Sequence, residues 1–154
     1  MAVNSNSPAS RRDPMPSFCF KVQFELGDLK DGAEAFFRSV SGLKYETEVI
    51  DIRAGGVNNT TFRVPGATKW ANIILKRGYS GTSALLDWKR QWMAPSGRKV
   101  RASGRIIQLD TALREVSSWR FIEAMPVKWE ISDFDASKSE VSIETLELAH
   151  HGLE

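Results

Sequence analysis

The chain has 154 residues, 42% of them hydrophobic, and its 21 Lys and Arg against 19 Asp and Glu give a formal net charge of +2. This length and composition predict one globular domain with a core of its own. The single cysteine, Cys19, excludes an internal disulfide and a multi-cysteine zinc site, and the 2 histidines are too few for a histidine-based metal site. No apolar run approaches the ~18 residues of a membrane span.

Charge is unevenly distributed along the chain. Residues 63–114 carry 11 basic and 2 acidic side chains, a net charge of +9, whereas residues 130–154 carry 1 basic and 7 acidic side chains, a net charge of −6. This pattern is compatible with a nucleic-acid patch beside an acidic tail, with a self-complementary contact within or between copies of the chain, and with ordinary solvated charges. Composition leaves these three interpretations open.

The first residues predict an arm, and the rest a single domain. Residues 1–16 are polar, contain three prolines and show no periodicity, so we expect a mobile N-terminal arm followed by one domain over 17–154. From Phe18 to Leu26 apolar and polar residues alternate, which predicts a half-buried strand. A turn is expected at 27–32, and a second strand region from about 36 to 52 is expected to bend at Ser41-Gly42.

A long hairpin is predicted next. Residues 54–59 (AGGVNN) are rich in Gly and Asn, which tolerate positive φ, so we expect the chain to turn there and to return over 60–64. Pro65-Gly66 is expected to end this hairpin, which spans 43–64. A further strand is predicted over 70–77, closed by Gly78.

One helix interrupts the β pattern. A candidate N-cap at Thr82 or Ser83 precedes residues 84–93, so we predict a flanking helix over about 83–93. Its apolar face follows from the i, i+3 and i+7 spacing of Leu85, Trp88 and Trp92. A tryptophan stripe at this spacing favours a core contact rather than a cofactor site.

Strands resume after the helix. Over 98–109 apolar and polar residues alternate, which is expected to place three cations on one face: Lys99, Arg101 and Arg105. A return strand is predicted over 115–123 and another around 127–131.

The final strand shows a phase slip. Val141 and Ile143 fall in one phase and Leu146 and Leu148 in the other, which predicts a bulge or burial on both faces. Taken together, the elements predict a mainly β fold: a two-sheet antiparallel β-barrel or sandwich with one flanking helix.

The residues indicate no catalytic, cofactor-binding or metal site. Cys19 lies in an alternating strand with no histidine near it in sequence, which favours a structural thiol. The glycine pairs lack the Lys-Ser/Thr ending and the strand–Gly–helix spacing of nucleotide-binding loops. His150-His151 supplies too few ligands to hold a metal ion.

Three stretches, taken together in their order and spacing, carry a family resemblance. The first stretch contains DP at 13–14, FCFKV at 18–22 and FRSVSGL at 37–43, followed by Glu46 and Glu48. The second contains PG at 65–66, IILKRG at 73–78 and LDW at 86–88. The third contains FDA at 134–136, EVSIETLELA at 140–149 and GL at 152–153. They resemble the inner tube proteins of contractile phage tails, and most closely those of extracellular contractile injection systems. The resemblance covers about residues 13–153.

This resemblance implies both a fold and a role. The fold is a small two-sheet β-barrel with one flanking helix, related to the type VI secretion tube protein. Six subunits form a ring, and the rings stack into a hollow tube inside a contractile sheath, which drives the tube through a target envelope. Tube subunits have no enzymatic activity and no cofactor.

The resemblance also implies partners and a location. The partners are other copies of the chain, the sheath protein, baseplate and tube-terminator proteins, and effector cargo in the lumen, without membrane anchoring. Assembly is expected in the bacterial cytoplasm, after which the subunit is part of a phage tail-like particle.

Candidate assembly residues follow from this interpretation. A head-to-tail contact that closes gives a ring, and repetition of the ring along its axis gives a tube. We expect the turn at 54–59 to project from the ring rim and, with the loop at 27–35, to mediate stacking. The stacking candidates are Asp51, Arg53, Gly55, Gly56, Asn58, Asn59, Asp28 and Lys30.

A second set of candidates lies in the basic segment. By family analogy strands 98–109 and 115–123 face the channel, which makes Lys99, Arg101 and Arg105 candidates for the lumen or a subunit interface. The acidic side chains of 130–147 are expected to be counter-charges across a subunit or ring boundary.

Three other functions are compatible with the residues. One is a tail tube protein of a contractile bacteriophage that conducts DNA. Another is a β-barrel nucleic-acid-binding module, supported by the +9 segment and the 5 Trp, although the aromatic residues are in phase with core positions. The third is a small split-barrel flavin enzyme, for which the sequence holds no phosphate-binding signal.

Overall fold

The computed structural model describes residues 19–25, 33–53, 55–56, 59–79, 84–138 and 140–154. The elements within these ranges are β1 Cys19–Glu25, β2 Ala33–Phe37, β3 Ser39–Ser41, β4 Tyr45–Arg53, β5 Thr61–Trp70, β6 Ile73–Gly78, α1 Ala84–Met93, β7 Ala102–Leu109, β8 Glu115–Ile131, β9 Ile143–Ala149 and β10 Gly152–Leu153. The predicted arm at 1–16, the turn at 27–32 and the candidate N-caps Thr82 and Ser83 lie outside the described residues.

Two antiparallel sheets make up the fold. The larger sheet has eight strands in the order β2–β1–β7–β8–β9–β6–β3, with β10 also paired to β8, and the smaller one is the β4–β5 hairpin. The end strands β2 and β3 follow one another in the chain, and between them the N–H of Arg38 donates to the carbonyl of Lys76 at 2.9 Å. Among the described strands, no ladder joins β2 to β3, so the larger sheet is not a closed barrel. The predicted mainly antiparallel β fold with a single flanking helix is confirmed.

The longest strand, β8, belongs to both halves of the larger sheet. Residues 115–124 pair with β7 and residues 125–131 pair with β9. At the junction Glu123 has a φ of 54°, and its N–H donates to the hydroxyl of Ser103 at 3.2 Å. The return strands predicted separately at 115–123 and 127–131 are therefore one strand with an irregular junction.

The core lies between the larger sheet and the helix. The helix covers Ala84–Met93, as the spacing predicted, and Trp88 is 1% exposed. The Phe24 ring lies 5.8 Å from that of Trp88 and 5.6 Å from that of Phe121, centroid to centroid. The indole N–H groups of Trp88 and Trp92 both donate to the carbonyl of Val100 at 2.8 Å, which fixes the helix against the chain that follows it.

Strand β9, which was predicted as the final strand, keeps a single buried phase of Glu144, Leu146 and Leu148, so the predicted burial on both faces is wrong. Its register with β6 is unbroken, and the irregularity in its pairing with β8 lies on β8, between Pro126 and Lys128, so β9 itself is not bulged. The apparent phase slip arises because a carboxylate occupies a core position. Arg77 Nε donates to Glu144 Oε2 at 2.7 Å, and Trp129 Nε1 donates to Glu144 Oε1 at 2.8 Å. Glu144 is therefore an internal counter-charge, and the expectation of a role across a subunit boundary is wrong for this residue.

The hairpin is longer than predicted. Strand β5 continues through Pro65 and Gly66 to Trp70, so the prediction that these residues end it is wrong, and the next strand begins at Ile73 rather than at 70. The register shifts between Thr47 and Val49, directly beside the Val49–Pro65 pair. A proline is tolerated at such an irregularity because its missing N–H breaks no regular ladder bond.

Candidate assembly surfaces

The β4–β5 hairpin exposes an apolar face. Ile50 pairs with Val64 and Ile52 with Phe62, and because alternate residues of a strand point to one side, these four side chains share a face. Their exposed fractions are 47% for Ile50, 50% for Ile52, 58% for Phe62 and 36% for Val64. We call this set the hairpin face. Contiguous exposed apolar side chains of this kind mark interaction sites.

In the outer half of the hairpin the opposite side is polar, whereas nearer the base Val49 and Pro65 pair on that side. Arg63 Nε lies 3.5 Å from Asp51 Oδ1, with 71% and 61% of the two side chains exposed. An exposed pair of this kind contributes little to stability. It does give the outer half of the hairpin one side suited to water and one suited to a protein partner.

The base of the hairpin is anchored on the body of the protein by aromatic stacking. The Trp70 ring lies 5.4 Å from that of Tyr45 and 5.7 Å from that of His150. The N–H of Gly152 donates to His150 Nδ1 at 3.2 Å, so Nε2 carries the ring hydrogen and donates to the carbonyl of Ala71 at 2.9 Å. His150 is thus a structural residue that holds the start of the hairpin.

Most of the predicted stacking candidates lie in the outer half of the hairpin. Gly56 has a φ of 96°, which favours glycine in the turn. The candidates placed there, all exposed, are Asp51, Arg53, Gly55, Gly56 and Asn59. Asn58, Asp28 and Lys30 lie outside the described residues, as does the loop at 27–32.

The three predicted cations are not brought together. Lys99 precedes β7, and its ammonium donates to the carbonyl of Trp92 and, at 3.4 Å, to that of Ala94, at the negative end of the helix dipole. Arg101 Nη1 donates to His151 Nε2 at 2.7 Å.

The third cation, Arg105, binds across the sheet. Its Nη2 donates to Glu115 Oε1 at 3.2 Å and to Ser118 Oγ at 2.9 Å, both on β8. The cations therefore have three separate local partners rather than one shared row, which does not favour a nucleic-acid track. Their assignment to the lumen or an interface stays a prediction.

A second apolar surface was not predicted from the sequence. A groove of about 300 Å³ runs between the end of the helix and β8, lined by Lys89, Trp92, Met93, Pro126, Val127, Lys128 and Trp129. Met93 is 73% exposed and Val127 47% exposed. We call it the helix groove. The signal that points to it is Met93, an apolar residue off the predicted helix face.

A lysine lies at one side of this groove. Lys89 Nζ is 3.2 Å from the centroid of the Trp129 ring, a cation–π contact. Burial lowers the pKa of Lys89, while the negative charge of Glu144 opposes this shift. The groove therefore combines aromatic walls with a partly desolvated cation.

Within the described ranges, no three or more His, Cys, Asp or Glu side chains are grouped so as to hold a metal ion. Helix α1 has 10 residues, and no helix among the described residues has the length and apolar composition that a membrane span needs.

Comparison with known proteins identifies the family. No curated protein matches the chain. A chain in the cryo-EM structure of the anti-feeding prophage (AFP) baseplate is 26% identical, with 94% of this chain and 96% of that chain covered and a TM-score of 0.82. A chain of the AFP tube terminating cap is 27% identical, covering 100% and 97%, with a TM-score of 0.73.

A third solved structure comes from an extracellular contractile injection system. A chain of the PVC sheath/tube terminator in its extended state is 25% identical, covering 92% of this chain and 96% of that chain, with a TM-score of 0.74. Residues 16–154 match the family described as T4-like virus tail tube protein gp19. The chain therefore belongs to the T4-like virus tail tube protein gp19 family.

Proposed function

We propose that this tail tube protein is the inner tube subunit of a contractile injection apparatus and has no enzymatic activity. In the proposal, six copies form a ring, rings stack into a hollow tube inside a contractile sheath, and contraction drives the tube through a target envelope. Support comes from the family match over residues 16–154 and from three solved relatives that each align over at least 92% of this chain.

The hairpin face is the single observation that carries self-assembly. Among the described strands, β4 and β5 pair only with each other, and the four side chains of the hairpin face are left exposed. Burying apolar surface is the main favourable contribution to association. A surface of this kind on a projecting hairpin is therefore suited to contact another copy of the chain.

The partners proposed beyond the chain itself follow from the relatives. The matched chains come from structures of an AFP baseplate, an AFP tube terminating cap and a PVC sheath/tube terminator. We accordingly propose contacts with a sheath protein, baseplate proteins and a tube terminator, and carriage of effectors in the lumen. Assembly takes place in the bacterial cytoplasm, and the subunit then forms part of a phage tail-like particle.

These relatives also favour one of the two tube functions. The structures named above belong to the anti-feeding prophage and to an extracellular contractile injection system. They support an injection apparatus over a phage tail that conducts DNA.

Replacing residues 54–60 with Asn-Gly is expected to leave rings but abolish long tubes. Arg53 pairs directly with Thr61, so a two-residue connection closes the hairpin without changing its register, and Asn-Gly suits the type I′ turn of that length. The change removes four stacking candidates, Gly55, Gly56, Asn58 and Asn59. Negative-stain electron microscopy of the purified variant measures the result.

The matched control replaces a side chain away from the hairpin. Val141→Ser, at a position 73% exposed outside both apolar surfaces, is expected to form tubes like the unchanged chain. Long tubes from the Asn-Gly variant would contradict the stacking role of the turn. A lack of rings from the unchanged chain would contradict the proposed assembly itself.

A further inference from the structure

The base of the β4–β5 hairpin is its main junction with the rest of the described chain. Among the described strands, β4 and β5 pair only with each other, and neither packs to a comparable extent against any other element. Two short connections lead into the hairpin, residues 42–44 after β3 and residues 71–72 before β6. The direction in which the hairpin projects is therefore set at these connections and by the side chains that contact them.

The two connections are in direct contact with each other. Gly42 has a φ of 84°, and a Cβ at this position would overlap the carbonyl oxygen of Asn72. The N–H of Ala71 donates to the carbonyl of Lys44 at 3.0 Å, and Leu43 packs against the core. The 42–44 connection is thus held by the core, and the 71–72 connection lies directly on it.

His150 ties the 71–72 connection to the larger sheet. The residue is 9% exposed and uses both ring nitrogens, since Nδ1 accepts from the N–H of Gly152 at 3.2 Å and Nε2 donates to the carbonyl of Ala71 at 2.9 Å. Gly152 belongs to β10, which pairs with β8. The His150 ring also lies 5.7 Å from the ring of Trp70, the last residue of β5. One side chain therefore joins the end of the hairpin to the larger sheet by a hydrogen bond and a ring contact.

A second contact holds the same connection more weakly. Asn72 Nδ2 donates to Glu147 Oε1, on β9, at 2.9 Å, and this side-chain pair is exposed. Water competes for the donor and acceptor of an exposed hydrogen bond, so such a bond contributes little on its own. The largely buried His150 is accordingly the stronger of the two ties.

A small rotation at the base becomes a large displacement at the hairpin face. Ile52 lies seven residues beyond Tyr45, the first residue of β4, which corresponds to about 23 Å at about 3.3 Å per residue. A rotation of about 10° at the base then moves Ile52 by about 4 Å, which is the distance at which apolar side chains make contact. The contacts at the base therefore decide where the hairpin face lies.

We propose that His150 is a positioning residue for assembly, because by holding Ala71 and Trp70 against β10 it sets the direction of the hairpin. This inference rests on the proposed function, in which the hairpin face contacts another copy of the chain. It assigns a role in that contact to a residue that lies outside the hairpin and outside the helix groove. Losing the His150 contacts loosens the hairpin and leaves the pairing of β4 with β5 intact.

Distances between two spin labels test the direction of the hairpin within one chain. The background is Cys19→Ser/Phe62→Asp, in which the subunits are expected to stay apart. Labels are attached at Thr61→Cys in the hairpin and at Gln91→Cys in the helix, both at exposed positions. With His150 unchanged, electron paramagnetic resonance is expected to give one narrow distribution of label distances.

Three variants separate the His150 contacts from general damage to the fold. His150→Asn keeps an acceptor for the N–H of Gly152 but is too short to reach Ala71, so we expect the distribution to widen by about 4 Å. His150→Gln extends far enough to donate to Ala71 and is expected to restore a narrower distribution. His151→Asn changes the exposed neighbouring histidine and is expected to match the unchanged chain.

The same variants, with Phe62 restored and without labels, are examined for tubes by electron microscopy. Tubes are expected from His151→Asn and are expected to be lost from His150→Asn, while circular dichroism shows a retained fold. A narrow distribution from His150→Asn would overturn the proposal, and so would normal tubes from a variant whose distribution widens.

Two further outcomes have fixed meanings. If His150→Asn did not fold, Trp70→Leu would test the same contact from the hairpin side, and a narrow distribution there would overturn the proposal. Absence of tubes from the unchanged chain would contradict the proposed function and the assembly role of His150 together. A narrow distribution from His150→Asn beside normal tubes would instead overturn the positioning role alone and leave the proposed function standing.

Discussion

Glu144→Ala is expected to lower the free energy of unfolding by about 3–5 kcal/mol, the cost of breaking a buried ion pair by removing one partner. Arg77 Nε and Glu144 Oε2 are 2.7 Å apart, with only 13% and 7% of the two side chains exposed. The substitution removes the carboxylate that neutralises the guanidinium. It also removes the acceptor of the Trp129 indole N–H.

Urea unfolding followed by tryptophan fluorescence measures this loss. The measurement is made in a Phe62→Asp background, because assembly would otherwise add to the apparent stability. Asp51→Ala is the matched control, since its ion pair with Arg63 is exposed and is expected to contribute less than about 1 kcal/mol. A Glu144→Ala variant within 1 kcal/mol of its parent would show that the pair does not hold β6 to β9.

Phe62→Asp is expected to abolish tubes while leaving the subunit folded. Phe62 is 58% exposed in the isolated chain, so a carboxylate there remains in water and the free energy of unfolding changes little. In the proposed contact between copies the same carboxylate would face apolar side chains, where an unpaired charge is strongly unfavourable. Sedimentation and electron microscopy measure the loss of tubes, and circular dichroism measures the retained fold.

The neighbouring residue supplies the control. Thr61 lies on the polar side of the same strand, paired with Arg53, so Thr61→Asp adds the same charge one residue nearer the turn. It is expected to form tubes. If both variants lost tubes equally, the added charge alone would explain the loss. If Phe62→Asp formed tubes like those of the unchanged chain, the proposed role of the hairpin face would be contradicted.

The sequence patterns predicted most of the fold because they reflect burial directly. The alternation that includes Val22 and Phe24 and the helical spacing of Leu85 and Trp88 correspond to side chains that are at most 4% exposed. The prediction of buried positions was wrong where a residue lies in an environment that its type usually avoids. Glu144 occupies a core position that a hydrophobicity pattern assigns to solvent.

The hairpin shows a different limit of sequence reasoning. Its alternation of apolar and polar residues is the pattern of a half-buried strand pair, yet Ile50, Ile52 and Phe62 are about half exposed in the single chain. Periodicity reports that a face is apolar and does not report whether the same chain or another copy covers it. The structure separates these cases because, among the described strands, β4 and β5 pair only with each other and these side chains are exposed.

The helix groove could not be predicted because its walls are distant in sequence. Trp92 and Met93 meet residues 126–129 only through the way the helix packs on the larger sheet. Likewise, the row predicted from the spacing of Lys99 and Arg105 is absent, since Lys99 lies before β7 and binds the carbonyls at the end of the helix. The family, by contrast, was predicted from three motifs spread over the chain and is confirmed by the match over residues 16–154.

Cryo-electron microscopy of the purified chain tests whether it assembles into a stacked tube. We expect hollow tubes of even bore, built of six-fold rings, with the β4–β5 hairpin of one copy in contact with another copy. Particles that stay at the size of a single 17.2 kDa chain at all concentrations would contradict it.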